Sequence, residues 1–111
     1  MVANNNIRIV LITTNTLDNA KDIARALVSE KIAACVNIIS GINSIYEWKG
    51  TIEEDTEFLL IVKTLSNNLE ILEKRIREIH PYEVPEILSI PIESLSESYN
   101  NWLINAVRNI I

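Results

Sequence analysis

The stretch "AACVNIISGINSIYEWKGTIEEDTEFLLIVKT", residues 33–64, most limits what this chain can fold into. It reads as two long strands around a turn near Lys49-Gly50. Gly41 is the only other glycine, and its place inside the first arm predicts a bend or bulge. Arms this long reach well past the usual five or six residues of a strand and leave edges unpaired. A fold built on this hairpin needs something to shield it.

The flanking segments supply the rest of the architecture. "IRIVLITT" (7–14) is β-branched and almost wholly apolar, which predicts a strand covered on both faces or lying at a sheet centre. From Thr16, a candidate N-cap, Ala20, Ile23, Ala24, Leu27 and Val28 recur at helical spacing, with Asp18, Lys21, Asp22 and Arg25 opposite. Ser66 opens a second helix with an apolar stripe of Leu69, Leu72, Ile76 and Ile79. That helix must stop near His80, because a residue before proline avoids the helical region. "EILSIPI" (86–92) predicts a fourth strand interrupted by Pro91. Ser96 or Ser98 then caps a C-terminal helix with Tyr99, Trp102, Leu103, Ala106, Val107 and Ile110 on one side.

The order strand, helix, strand, strand, helix, strand predicts an α+β ferredoxin-like sandwich with an antiparallel sheet and one added helix. Its helices lie on one face, so the other face stays bare. Yet "IRIVLITT" and "FLLIVKT" carry apolar residues at both parities. Oligomerisation answers both the bare face and the long arms.

At 111 residues and 48% hydrophobic content the chain predicts a single domain, 1–111, with a real core. A net charge of -5 removes the basic footprint of a nucleic-acid or anionic-membrane binder. Cys35 is the only cysteine, so neither an intrachain disulfide nor a multi-cysteine zinc site is expected. No secretory signal pattern and no membrane-length apolar run is read, and the expected location is cytoplasmic.

Four motifs, "ACVN" (34–37), "YEWKG" (46–50), "VKT" (62–64) and "HPYEVPEI" (80–87), resemble in order and spacing the CutA divalent-cation tolerance family over nearly the whole chain. The resemblance implies a tight homotrimer with hairpins pairing between subunits, an architecture similar to that of PII signalling proteins. It also implies a role in tolerance of copper and other divalent ions. It does not supply a molecular activity.

"HPYEVPEI" carries the chain's only histidine and has two uses. As structure, Pro81 ends a helix, Pro85 stiffens and blunts the strand that follows, Tyr82 fills the gap and His80 caps the helix. As chemistry, His80, Glu83 or Glu86 reaches a metal ion or small ligand, imidazole suiting copper and zinc and carboxylate the harder ions. Cys35 is an inert strand residue or a soft ligand for Cu(I). It lies on the strand at the opposite edge from Glu86, so the two meet only across a subunit boundary.

His80, Glu86 and Cys35 are therefore the candidate metal ligands, for a divalent ion such as copper. Trp48, Lys63 and Tyr82, with Glu86, are candidates to line a pocket between subunits. Tyr46 and Trp48 read as interface anchors. The run "EEDTE" (53–57) reads as a solvated strand face.

Three functions compete: a non-enzymatic metal-binding homotrimer, a PII-like sensor taking a small metabolite or anion in the intersubunit cleft, and an enzyme using His80 as base. The first leads. The third lacks a nucleophile, an oxyanion donor and a cofactor motif.

Overall fold

The computed structural model describes residues 1–108. Four strands and three helices alternate in the expected order: β1 (Ile7–Thr14), α1 (Leu17–Ser29), β2 (Cys35–Trp48), β3 (Thr51–Leu65), α2 (Leu69–Ile79), β4 (Leu88–Pro91) and α3 (Glu97–Ala106). A single 3₁₀ turn, Ser66–Asn68, leads into α2. The strands form one antiparallel sheet in the order β2-β3-β1-β4. Cys35 on β2 and the residues beside β4 thus belong to opposite edges, as the sequence predicts.

Local chemistry sets the boundaries. The Thr16 hydroxyl accepts the Asn19 N–H and starts α1, and the Ser96 hydroxyl does the same for α3 with Tyr99. Lys49 and Gly50 both hold positive φ, 50° and 82°, the backbone that a two-residue turn between twisted strands requires. Gly41, at φ 76°, sits where the β2–β3 register slips between Ile39 and Ile42. That is the expected bulge. The fourth strand begins two residues later than its sequence suggests: the chain bends over residues 81–84 and pairs with β1 only from Leu88.

Alternation along the strands divides the core in two. Val10, Ile12, Leu60 and Val62 point to one face and are fully buried with Ile23 and Leu27 of α1 and Leu72 and Ile76 of α2. Ile7 and Leu65, of the other parity, pack with Leu95, Leu103 and Val107. Helix α3 therefore covers one end of the second face, which corrects the expectation that all helices share the first. Its buried stripe is narrower than predicted: Tyr99 and Trp102 are exposed and pack on one another at 5.3 Å, and Ile110 lies outside the described residues. Beyond α3 the middle of the second face, with Ile9, Leu11, Leu59 and Ile61, is only half-buried.

The hairpin outruns the sheet. Strand β1 pairs with β3 only from Phe58 to Leu65, so the segment beyond is a two-stranded ribbon that makes the chain 45 Å long and about half as wide. Ile45 and Ile52 on that ribbon are 68% and 73% exposed.

Candidate functional site

The segment 80–87 folds against the far end of the second face from α3. Ahead of Pro81, His80 takes an extended conformation (φ -78°, ψ 137°), and its N–H closes the last turn of α2 on the Ile76 carbonyl at 2.8 Å. Its ring is buried, and both nitrogens are engaged within the chain. Nδ1 accepts the Tyr82 backbone N–H at 3.1 Å and Nε2 lies 2.7 Å from the Thr13 carbonyl. A backbone N–H only donates and a carbonyl only accepts, so the proton sits on Nε2 and the imidazole is neutral. Burial pushes its pKa below the ordinary histidine value, while the Thr13 carbonyl and the Glu57 charge pull the other way.

His80 thus fixes the loop to β1 and aims the next residues. Tyr82 packs edge-on against its ring at 4.8 Å, and the Tyr82 hydroxyl donates to Glu57 Oε2 at 2.5 Å. Burial, then the Glu57 carboxylate, drive the Tyr82 phenol well above its usual pKa. Glu57 is the residue that sequence reasoning misplaced. The run 53–56 is mostly solvated, but Glu57 is 5% exposed. Its signal was positional, since it directly precedes the apolar run "FLLIVKT" on the strand opposite the Gly41 bulge.

A cleft of about 630 Å³ opens here. Thr13, Glu57, Tyr82 and Glu86 line it from the sheet side, and Tyr46 and Trp48 reach it from the ribbon. Partial desolvation and then the Glu57 charge raise the Glu86 carboxyl above the usual range. The Tyr46 hydroxyl donates to Asp55 at 2.5 Å, and that acceptor helps push its pKa up to about 12.

The structure brings three of the expected residues, Trp48, Tyr82 and Glu86, to this one cleft. It keeps Lys63 and Cys35 elsewhere. Lys63 lies six residues along β3 from Glu57, roughly 20 Å at strand rise. There it faces Cys35 in register, with Nζ donating to Asn37 Oδ1 and standing 3.9 Å from Cys35 Sγ. Cys35 is half-buried. Among the described residues no three His, Cys, Asp or Glu side chains gather into a group that could hold a metal ion. Glu57, Glu83, Glu86 and the Tyr82 phenol line the cleft, but within one chain they do not gather into a full ligand set.

Comparison with known proteins decides the family. A family model described as "CutA1 divalent ion tolerance protein" matches residues 8–106. The chain belongs to this CutA1 family.

A curated Thermus thermophilus relative, "Divalent-cation tolerance protein CutA", is 47% identical over 95 residues, spanning 86% of this chain and 92% of that protein. The Xenopus laevis "Protein CutA homolog" is 56% identical over 84 residues, 76% of this chain but 56% of its own length. This chain thus spans little more than half of some curated relatives that it matches. The crystal structure of CutA1 from Oryza sativa superposes with a TM-score of 0.92 at 38% identity, covering 95% of this chain and 96% of that one. The ferredoxin-like chain thereby has the CutA1 fold.

None of these names denotes an enzyme. Other members are named chloroplastic or periplasmic. No described helix of this chain is long and apolar enough to cross a membrane.

Proposed function

We propose that the protein is a non-enzymatic homotrimer that confers tolerance of divalent cations, copper foremost, by binding them at clefts completed between subunits. The observation that carries this reading is Glu57. It is a carboxylate with 5% exposure, no cationic partner among the described residues, and a place in the wall of an open cleft. A buried charge is stable only when it is paired or coordinates an ion. Glu57, Glu86 and the Tyr82 oxygen supply oxygen donors. The incomplete set within one chain calls for a further ligand from another copy, for which Cys35, on the same face as Glu57, is the candidate. A thiolate suits copper and zinc. A free thiol of this kind persists in a reducing compartment, which favours the cytoplasm. His80 positions Tyr82 and stays out of the ligand set, because ligation costs it one of its two hydrogen bonds.

The half-open middle of the second face and the apolar ribbon are the surfaces that a trimer would cover. For the alternative, a PII-like sensor of a small metabolite or anion in the intersubunit cleft, the lining supplies no Lys, Arg or His to hold an anion. Calorimetric titration with copper and zinc tests the proposal. Saturable binding weakened in Glu57→Gln, Glu86→Gln and Cys35→Ser is expected, with the Cys35→Ser loss coupled non-additively to the other two. Wild-type affinity in all three variants refutes it.

A further inference from the structure

Asp55 and Glu57 lie two residues apart on one side of β3, and each accepts a tyrosine hydroxyl. Tyr46 donates to Asp55 and Tyr82 to Glu57 Oε2, both at 2.5 Å. The surroundings differ. Tyr46 and Asp55 are exposed, so water can replace either partner. Glu57 is 5% exposed, and among the described residues its side chain has no other hydrogen bond and no ion pair. Its Oε1 makes no hydrogen bond yet is not sealed from solvent, so it opens to the cleft.

The chain itself fixes the hydroxyl that makes the two oxygens unequal. His80 is tied to β1 by the Thr13 carbonyl, 2.7 Å from Nε2, and its Nδ1 takes the Tyr82 N–H at 3.1 Å. The Tyr82 ring rests edge-on against the imidazole, centroids 4.8 Å apart, in a segment stiffened by Pro81 and Pro85. A bond of 2.5 Å between a hydroxyl and a carboxylate is short and charge-assisted. It occupies an acceptor site of Oε2 and part of that oxygen's charge.

We infer that Tyr82 is the selectivity residue of the cation site: it engages Oε2 and presents Glu57 to a cation through Oε1 alone. This inference rests on the reading of the cleft as a divalent-cation site and names the ions that the site selects. Zinc, usually four-coordinate, and copper are served by one atom from each of a few ligands. Calcium takes about 6–8 oxygens, and a carboxylate that grips it with both oxygens supplies two at once. Glu57 can do so only by giving up the Tyr82 bond, which no water replaces at a buried carboxylate. The site therefore discriminates against calcium. This device lies within one chain, whichever further ligand another copy adds. The phenol oxygen keeps its lone pairs, so Tyr82 can hold Glu57 and still belong to the ligand set.

Calorimetric titration of the full chain with zinc chloride and with calcium chloride, on wild type and Tyr82→Phe, tests the inference. The wild type should bind zinc far more tightly than calcium. In Tyr82→Phe the released Oε2 should improve calcium about tenfold relative to zinc, the equivalent of one hydrogen bond to a charged group. A merely structural role for Tyr82 lowers both affinities together. An unchanged ratio, or calcium that still fails to bind the variant, overturns the inference.

Infrared difference spectra give a reading with Tyr82 in place. Zinc-loaded minus zinc-free spectra of wild type and of Glu57→Gln isolate the Glu57 carboxylate bands. Their antisymmetric–symmetric splitting should widen on loading, the mark of coordination through one oxygen, and a narrowed splitting overturns the inference. Zinc binding weakened in Glu57→Gln, with the zinc-to-calcium ratio unchanged in Tyr82→Phe, removes the selectivity role and leaves the metal reading standing. Absence of zinc binding in the wild type removes that reading, and the selectivity role falls with it.

Discussion

The two faces of the sheet are built from alternate residues of the same strands, yet they meet different surroundings. Val10, Ile12, Leu60 and Val62 are at 0% exposure beneath α1 and α2, whereas their neighbours Ile9, Leu11, Leu59 and Ile61 remain half-buried. The first face is finished by the chain itself. The second is closed by α3 at one end, left apolar in the middle and opened into the Glu57 cleft at the other. Strands that are apolar at both parities thus build one closed core within the chain and a second apolar face that the proposed assembly would cover.

That contrast can be broken most forcefully at Leu60. Leu60→Ala should cost about 2 to 5 kcal/mol of stability, because it leaves a cavity in a closed core, and the loss should not depend on protein concentration. Chemical denaturation at two concentrations measures both points. Trp48→Ala, on the ribbon, should cost about 2 kcal/mol, and here the melting temperature should fall further on dilution, as expected for an anchor between copies. A concentration-independent loss would return Trp48 to the subunit. Tyr82→Phe comes next, at about 1 kcal/mol, for the hydrogen bond it removes from buried Glu57. Its effect on cation affinity should exceed its effect on folding, since it frees the carboxylate but alters the cleft wall.

The smallest effect is expected from pH. Burial holds His80 below its ordinary pKa, so above about 6.5 the neutral ring contributes in full. As pH falls below that value the unfolded chain takes up a proton that the folded chain resists. Stability should then decline until the folded value is passed. His80→Gln should flatten this slope, and acid-range thermal melts of the two proteins compare it directly.

The fold was legible because its signals are local. Proline after His80, Thr16 ahead of a helical stripe, and Gly50 in a two-residue turn each act through the backbone of their own neighbours. The motif "HPYEVPEI" was likewise legible as a helix stop, and two of its residues, Tyr82 and Glu86, line one cleft with Trp48. What stayed hidden was set by three-dimensional context. Glu57 is one of five polar residues in "EEDTE", and only the bulge at Gly41, the packing of Tyr82 and the end of β1 bury it. His80 reads as a ligand by residue type, but the number of hydrogen bonds its ring makes depends on where β1 places the Thr13 carbonyl. Helix α3 offered no sign of which face it would cover, because Tyr99 and Trp102 suggested a wider apolar stripe than the one buried.

In the proposed trimer the second face and the ribbon are completed by further copies of this chain. Sedimentation equilibrium of the wild-type protein across the micromolar range tests it most directly. A single species of three times the chain mass, unchanged on dilution, is expected. A stable monomer at micromolar concentration, with the apolar face and ribbon left in water, would contradict it.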